Sequence, residues 1–84
     1  MEQENDGAGA IYSVCIKTIL DDGWLYALQL DPVETQRHYA GPPRTVITVR
    51  LADQAQLLGL LNRLHDMGLT LLSIDLHSLE MGSA

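Results

Sequence analysis

One cysteine, three histidines and a few carboxylates are the residues of this 84-residue chain with types suited to chemistry. Cys15 lies in Ile11-Tyr-Ser-Val-Cys-Ile-Lys17, where Tyr12, Val14 and Ile16 alternate with Ser13, Cys15 and Lys17. That is the period-2 pattern of a half-buried strand. A nucleophilic thiol needs a neighbouring base or a helix N-terminus to become a thiolate. A mid-strand cysteine without a Cys-x-x-Cys partner reads instead as a small side chain on a sheet face. His38, His65 and His77 show no His-x-x-x-His or other metal-ligand spacing. Asp75 and His77 share one side of a strand, so a Cys15–His77–Asp75 group can be built only on an open sheet face that excludes no water. Asp21 and Asp22 lack the further oxygen ligands a divalent ion needs, and helix capping accounts for them. The expectation is no catalytic residue, no metal and no cofactor, in a chain that is not an enzyme.

The elements that position these residues follow from the hydrophobic pattern. Segment 22–30 has two readings: a short helix capped by Asp21 or Asp22, with Trp24, Leu25 and Leu28 buried, or a strand from Trp24 to Leu30. Gly23 weakens the helix, and Pro32 ends either element. Trp24 is expected as a core anchor. Val33 to Tyr39 alternates weakly, as an exposed edge strand does, and Ala40-Gly-Pro-Pro-Arg44 is a turn. Thr45-Val-Ile-Thr-Val-Arg-Leu51 is β-branched and strand-like, with Ile47, Val49 and Leu51 on one face. Asp53 caps the clearest helix, with Gln56 three residues on. Its stripe is Leu57, Leu58, Leu61 and Leu64, with Leu60 and Met67 at the margins and Gly68 as its left-handed stop. Thr70 to His77 is a final strand.

With 22–30 as a helix, the order is β-α-β-β-α-β, an α+β, ferredoxin-like split β-α-β sandwich with two helices on one face of a four-stranded sheet. The other face carries Ser13, Cys15, Val46, Thr48, Leu71, Ser73 and Asp75. It is mixed and partly apolar, and dimerisation would cover it.

Composition sets the outer limits. Eleven acids against five bases give a formal charge of −6, which opposes a sequence-wide grip on nucleic acid or an anionic bilayer. Arg37, Arg44 and Arg50 form the main basic grouping, without the exposed central aromatics that RNA binding on a sheet face requires. The chain has no Gly-rich phosphate loop, and its apolar runs fall short of a membrane span. A single cysteine allows no internal disulfide, and the acidic start lacks an export signal, so a cytoplasmic protein is expected. Residues 1–10 read as a disordered acidic tail, 11–79 as one domain and 80–84 as a frayed end.

From Tyr12 onward the chain resembles a widespread family of small uncharacterised bacterial proteins. The likeness rests on Tyr12, Ile16-Lys17, Leu20-Asp21 with Trp24, Asp53-Gln54-Ala55, Leu57, Gly59-Leu60-Leu61, Asp66, Gly68-Leu69 and Leu71-Leu72-Ser73. The middle departs, without a second aromatic cluster after Trp24 and with extra residues before Thr45. The strand-helix-strand half also resembles ACT-type regulatory modules, although their Asp-x-Pro-Gly loop is absent. That likeness implies a small-molecule ligand between paired domains near the loop joining the first strand and helix, here at Asp21 and Asp22, with Asp53 as a further candidate. The expected function is a non-catalytic interaction or oligomerisation module, a homodimer or a contact for another protein, with an amino-acid sensor as the alternative. Candidate contacts are Cys15, Tyr39, Val46, Thr48, Leu71, Ser73, Asp75 and His77.

Overall fold

The computed structural model describes residues 9–79. The elements are β1 (Ala10–Ile16), α1 (Asp22–Ala27), β2 (Glu34–His38), β3 (Arg44–Leu51), α2 (Gln54–Asp66) and β4 (Leu71–Leu79). The sheet order is β2-β3-β1-β4, every neighbouring pair antiparallel. Strands β3 and β4 therefore run the same way, split by β1. This is the ferredoxin-like α+β arrangement, with both helices on one face. Strand β1 begins at Ala10, one residue before the expected domain start. The rest of the acidic tail, apart from Gly9, and the C-terminal residues 80–84 lie outside the described residues.

The core forms where the strand and helix periods meet. Val14 and Ile16 of β1 and Ile47, Val49 and Leu51 of β3 are buried against Leu20, Leu25, Leu28, Leu60 and Leu64. Segment 22–30 settles as a helix. Asp21 caps it, its Oδ1 accepting the Trp24 amide at 3.0 Å. Trp24 is not the expected anchor: it stands 39% exposed, because the stripe of this short helix is Leu25 and Leu28, with Leu20 from the preceding loop filling the space beside them.

In α2, Asp53 Oδ1 accepts the Gln56 amide at 2.9 Å, and Gln56 Oε1 accepts the Ala52 amide at 2.8 Å. The reciprocal cap expected from the sequence thus reaches one residue further back than a standard capping box. The buried stripe centres on Leu60 and Leu64, flanked by half-buried Leu57 and Leu61, whereas Leu58 is exposed. Each helical step turns roughly 100°, which carries Leu58 off the 57–60–61–64 face.

One buried hydroxyl ties the loop after β1 to the sheet. Thr45, fully buried in β3, donates from Oγ1 to the Thr18 carbonyl at 2.7 Å and accepts the Leu20 amide at 2.8 Å. The loop is held from the other side by Lys17, whose amide donates to the Thr70 carbonyl at 2.9 Å.

Candidate functional site

The expected carboxylates do not converge. Asp21 and Asp22 follow the Ile16/Thr45 end of the sheet, while Asp53 follows Leu51 at the opposite end, where Ala10 faces Leu51. Asp21 is spent on its cap. Asp22 Oδ1 pairs with Arg37 Nη2 at 3.0 Å, and Arg37 Nε donates to the Leu20 carbonyl at 2.6 Å. Asp22 is 96% exposed, so solvent screens the pair and its contribution is small. Tyr39, just past β2, lines a shallow hollow of about 180 Å³ with Ile19, Asp21, Asp22 and Arg37. It stands apart from the other candidate contacts.

Asp53 lines a larger cleft of about 560 Å³, formed by Gln29 to Asp31, the end of β3 and the first turns of α2. Arg63 closes one wall, its Nε donating to the Leu28 carbonyl at 2.9 Å. At the rim Gln29 has φ 60°, the left-handed region that side chains rarely adopt. Apart from Asp53, sequence reasoning missed this cleft, since it forms only where residues 29–31 meet the distant stretch 49–63.

The open sheet face is ordered into cross-strand rows. Glu34, Thr48, Ser13 and Asp75 form one row, and Gln36, Val46, Cys15 and Ser73 the next. Two register shifts in the β1–β4 pairing interrupt simple alternation. One, between Cys15 and Ile16, sets Leu71 opposite core-facing Ile16 rather than in the open-face rows. The other, between Ile11 and Tyr12, leaves His77 between the partners of those two residues. Cys15 and Asp75 sit in different rows, so the Cys15–His77–Asp75 group is spread along the sheet. Among the described residues, no three of His, Cys, Asp or Glu form a metal-holding group, and no helix is long and apolar enough to cross a membrane.

Strand β4 carries the most conspicuous surface. It is an edge strand of nine residues, and Leu71, Leu72, Leu76 and Leu79 are 36%, 50%, 54% and 64% exposed. Ile74 is half-buried against the core. Strand β2, at the other edge, has five residues, Glu-Thr-Gln-Arg-His, without a large apolar side chain.

Fold and surfaces together define a small ferredoxin-like α+β domain. The chain belongs to a domain family of unknown function, DUF8691, which it matches over residues 11–75. Neither the curated proteins nor the solved structures gave a match. The expected kinship with small uncharacterised proteins holds at that level.

Proposed function

We propose that this chain is a non-catalytic interaction and oligomerisation module that works as a homodimer. The observation that carries the reading is the run of exposed leucines on the β4 edge. Apolar side chains scattered singly over a surface need no explanation, but several on one unpaired edge mark a contact. The distinctive polar residues have structural tasks: Asp21 and Asp53 cap helices, Arg37 and Arg63 hold carbonyls, and Thr45 ties a loop. The cytoplasm suits this module, since Cys15 is a free thiol that a reducing compartment preserves. Sedimentation equilibrium on the full chain at micromolar concentration tests the reading. Two chain masses are expected, and a single mass throughout that range would refute it.

The alternative is an ACT-like sensor of amino acids or similar small molecules. The cleft of about 560 Å³ favours it, being within the size range of ligand sites and lined by Asp31, Asp53 and Arg63. It lies at the opposite end of the sheet from the Asp21–Asp22 loop that the ACT likeness singles out. Thermal unfolding with each free amino acid at millimolar concentration tests this reading. A Tm rise that Gly59→Val abolishes would support it, since a side chain there enters the cleft wall, where a Cβ meets Arg63 Nη1 at 3.5 Å.

A further inference from the structure

The geometry points to an antiparallel β4-to-β4 contact between two copies of this chain, with Ile74 opposite Ile74 of the partner subunit, joining two four-stranded sheets into one of eight. The inference rests on the homodimer reading above and adds the surface and the register.

Two sheet edges are available, and the chain treats them differently. Strand β2 is short and presents Glu34, Gln36, Arg37 and His38, the charged and polar content that discourages edge pairing. Strand β4 is nearly twice as long and has one carboxylate, Asp75, among its nine residues. Among the described residues β1 is its only strand neighbour, so one row of backbone N–H and C=O groups faces outward. An edge strand of this length and apolarity is the usual template for strand addition.

Symmetry then selects the register. Two antiparallel strands related by a two-fold axis perpendicular to the sheet keep both copies' helices on one side, and one residue must face its own counterpart. With Asp75 at the centre, two carboxylates would oppose each other. With Ser73 at the centre, Leu71 would face Asp75, an apolar group against a carboxylate. With Leu76 at the centre, Ile74 would face Ser78. Ile74 pairs with core-facing Val14 and Ser78 with Ile11 across a register shift, so those two belong to opposite faces.

Ile74 at the centre matches every pair from Leu72 to Leu76, and only beyond them does an apolar residue, Leu71, face a polar one, His77 of the partner subunit. Leu72 faces Leu76 of the partner subunit, and Ile74 faces its equivalent, which makes a continuous apolar stripe on the helix side. Ser73 faces Asp75 of the partner subunit, so a hydroxyl meets a carboxylate twice on the open face. The stretch from Ser73 to Leu76 pairs with Cys15 to Tyr12 without interruption, and both shifts lie outside it. Of the residues this register pairs from Leu72 to Leu76, all but Leu72, which falls in the Cys15/Ile16 shift, lie in that regular stretch.

The experiment combines two variants of the full chain. Leu72→Lys with Leu76→Lys places four cations along the joint. Both positions are at least half exposed, so the core is untouched. Ile74→Cys on a Cys15→Ser background places two thiols face to face. Facing Cα atoms in antiparallel strands lie about 4.5–5.5 Å apart, within disulfide reach. We expect the lysine variant to sediment as one chain mass with an unchanged circular dichroism spectrum. Its dimer dissociation constant should rise more than about a hundredfold. Mild oxidation should link the Ile74→Cys variant into a covalent dimer, while a Leu71→Cys control on the same background stays unlinked. A dimer that survives the lysines, or that cross-links at position 71 but not 74, overturns this contact and leaves the homodimer reading standing. A wild-type chain that sediments as a monomer overturns both. If the lysine variant fails to fold, the cross-linking pair decides alone.

Discussion

Gln29 and Gly68 occupy the same position in the two helices. Each is the first left-handed residue after the helix, at φ 60° and φ 74°. After α1 the Gln29 amide donates to the Tyr26 carbonyl at 2.9 Å and the Leu30 amide to the Leu25 carbonyl at 3.0 Å. After α2 the Gly68 amide donates to the His65 carbonyl at 3.0 Å and the Leu69 amide to the Leu64 carbonyl at 2.9 Å. Both are Schellman closures, one built with glycine and one without.

Gln29→Gly should therefore stabilise the protein. A side chain in the left-handed region costs about 1–2 kcal/mol, part of which glycine returns through its freer unfolded chain. A net gain of about 0.5–1 kcal/mol is expected, a Tm rise of several degrees for a domain of this size. Gly68→Ala should move Tm the other way. Calorimetry on both variants checks the pair, and a lower Tm for Gln29→Gly would contradict the account.

Thr45→Val keeps the volume of the side chain and removes the hydroxyl. The Leu20 amide and the Thr18 carbonyl then lose their partner inside the fold. A loss of about 2–3 kcal/mol is expected, with faster hydrogen exchange at the Leu20 amide. Thr45→Ser retains the hydroxyl and should cost about 1 kcal/mol, for one buried methyl. Urea denaturation of the two variants tests this, and equal losses would remove the hydroxyl's role.

The two bonds of Arg37 should separate by mutation. Asp22→Asn breaks only the screened surface pair and should shift stability by less than about 0.5 kcal/mol. Arg37→Met also removes the donor to the Leu20 carbonyl and should cost about 1–2 kcal/mol. Denaturation midpoints in low and high salt check the distinction. The Asp22 effect should fade as salt rises, and the Arg37 effect should shrink only by that same amount.

Asp53→Ala should cost about 1 kcal/mol by uncapping α2. Gln56→Ala, which frees the exposed Ala52 amide to water, should cost less. Helicity and chemical denaturation of the two variants give the comparison. A larger loss at Gln56 would reverse the assigned roles.

The legible parts of the chain were those in which several local signals agree. In α2, Asp53, the leucine spacing and Gly68 mark start, face and stop together; start and stop are realised, and the face is realised with Leu60 at its centre and Leu58 off it. Helix α1 stayed ambiguous because it has six residues and closes on Gln29, a residue type that announces no left-handed turn. The task of Thr45 was hidden because a β-branched residue in a strand needs no further reason to be there. The displacement of Leu71 and His77 comes from register shifts in β4, which a strict period of two does not contain. The cleft beside Asp53 needed two distant stretches, 29–31 and 49–63, to be placed before it existed at all.

The polar β2 edge bears on what happens when the chain becomes abundant. A sheet with two adhesive sides can recruit copy after copy and grow into a fibre. Here Glu34, Gln36, Arg37 and His38 guard one side, so in the proposed β4 pairing strand addition would have a single direction and end after one step. Replacing that short polar strand with valine and isoleucine would turn the proposed pair into an open-ended assembly.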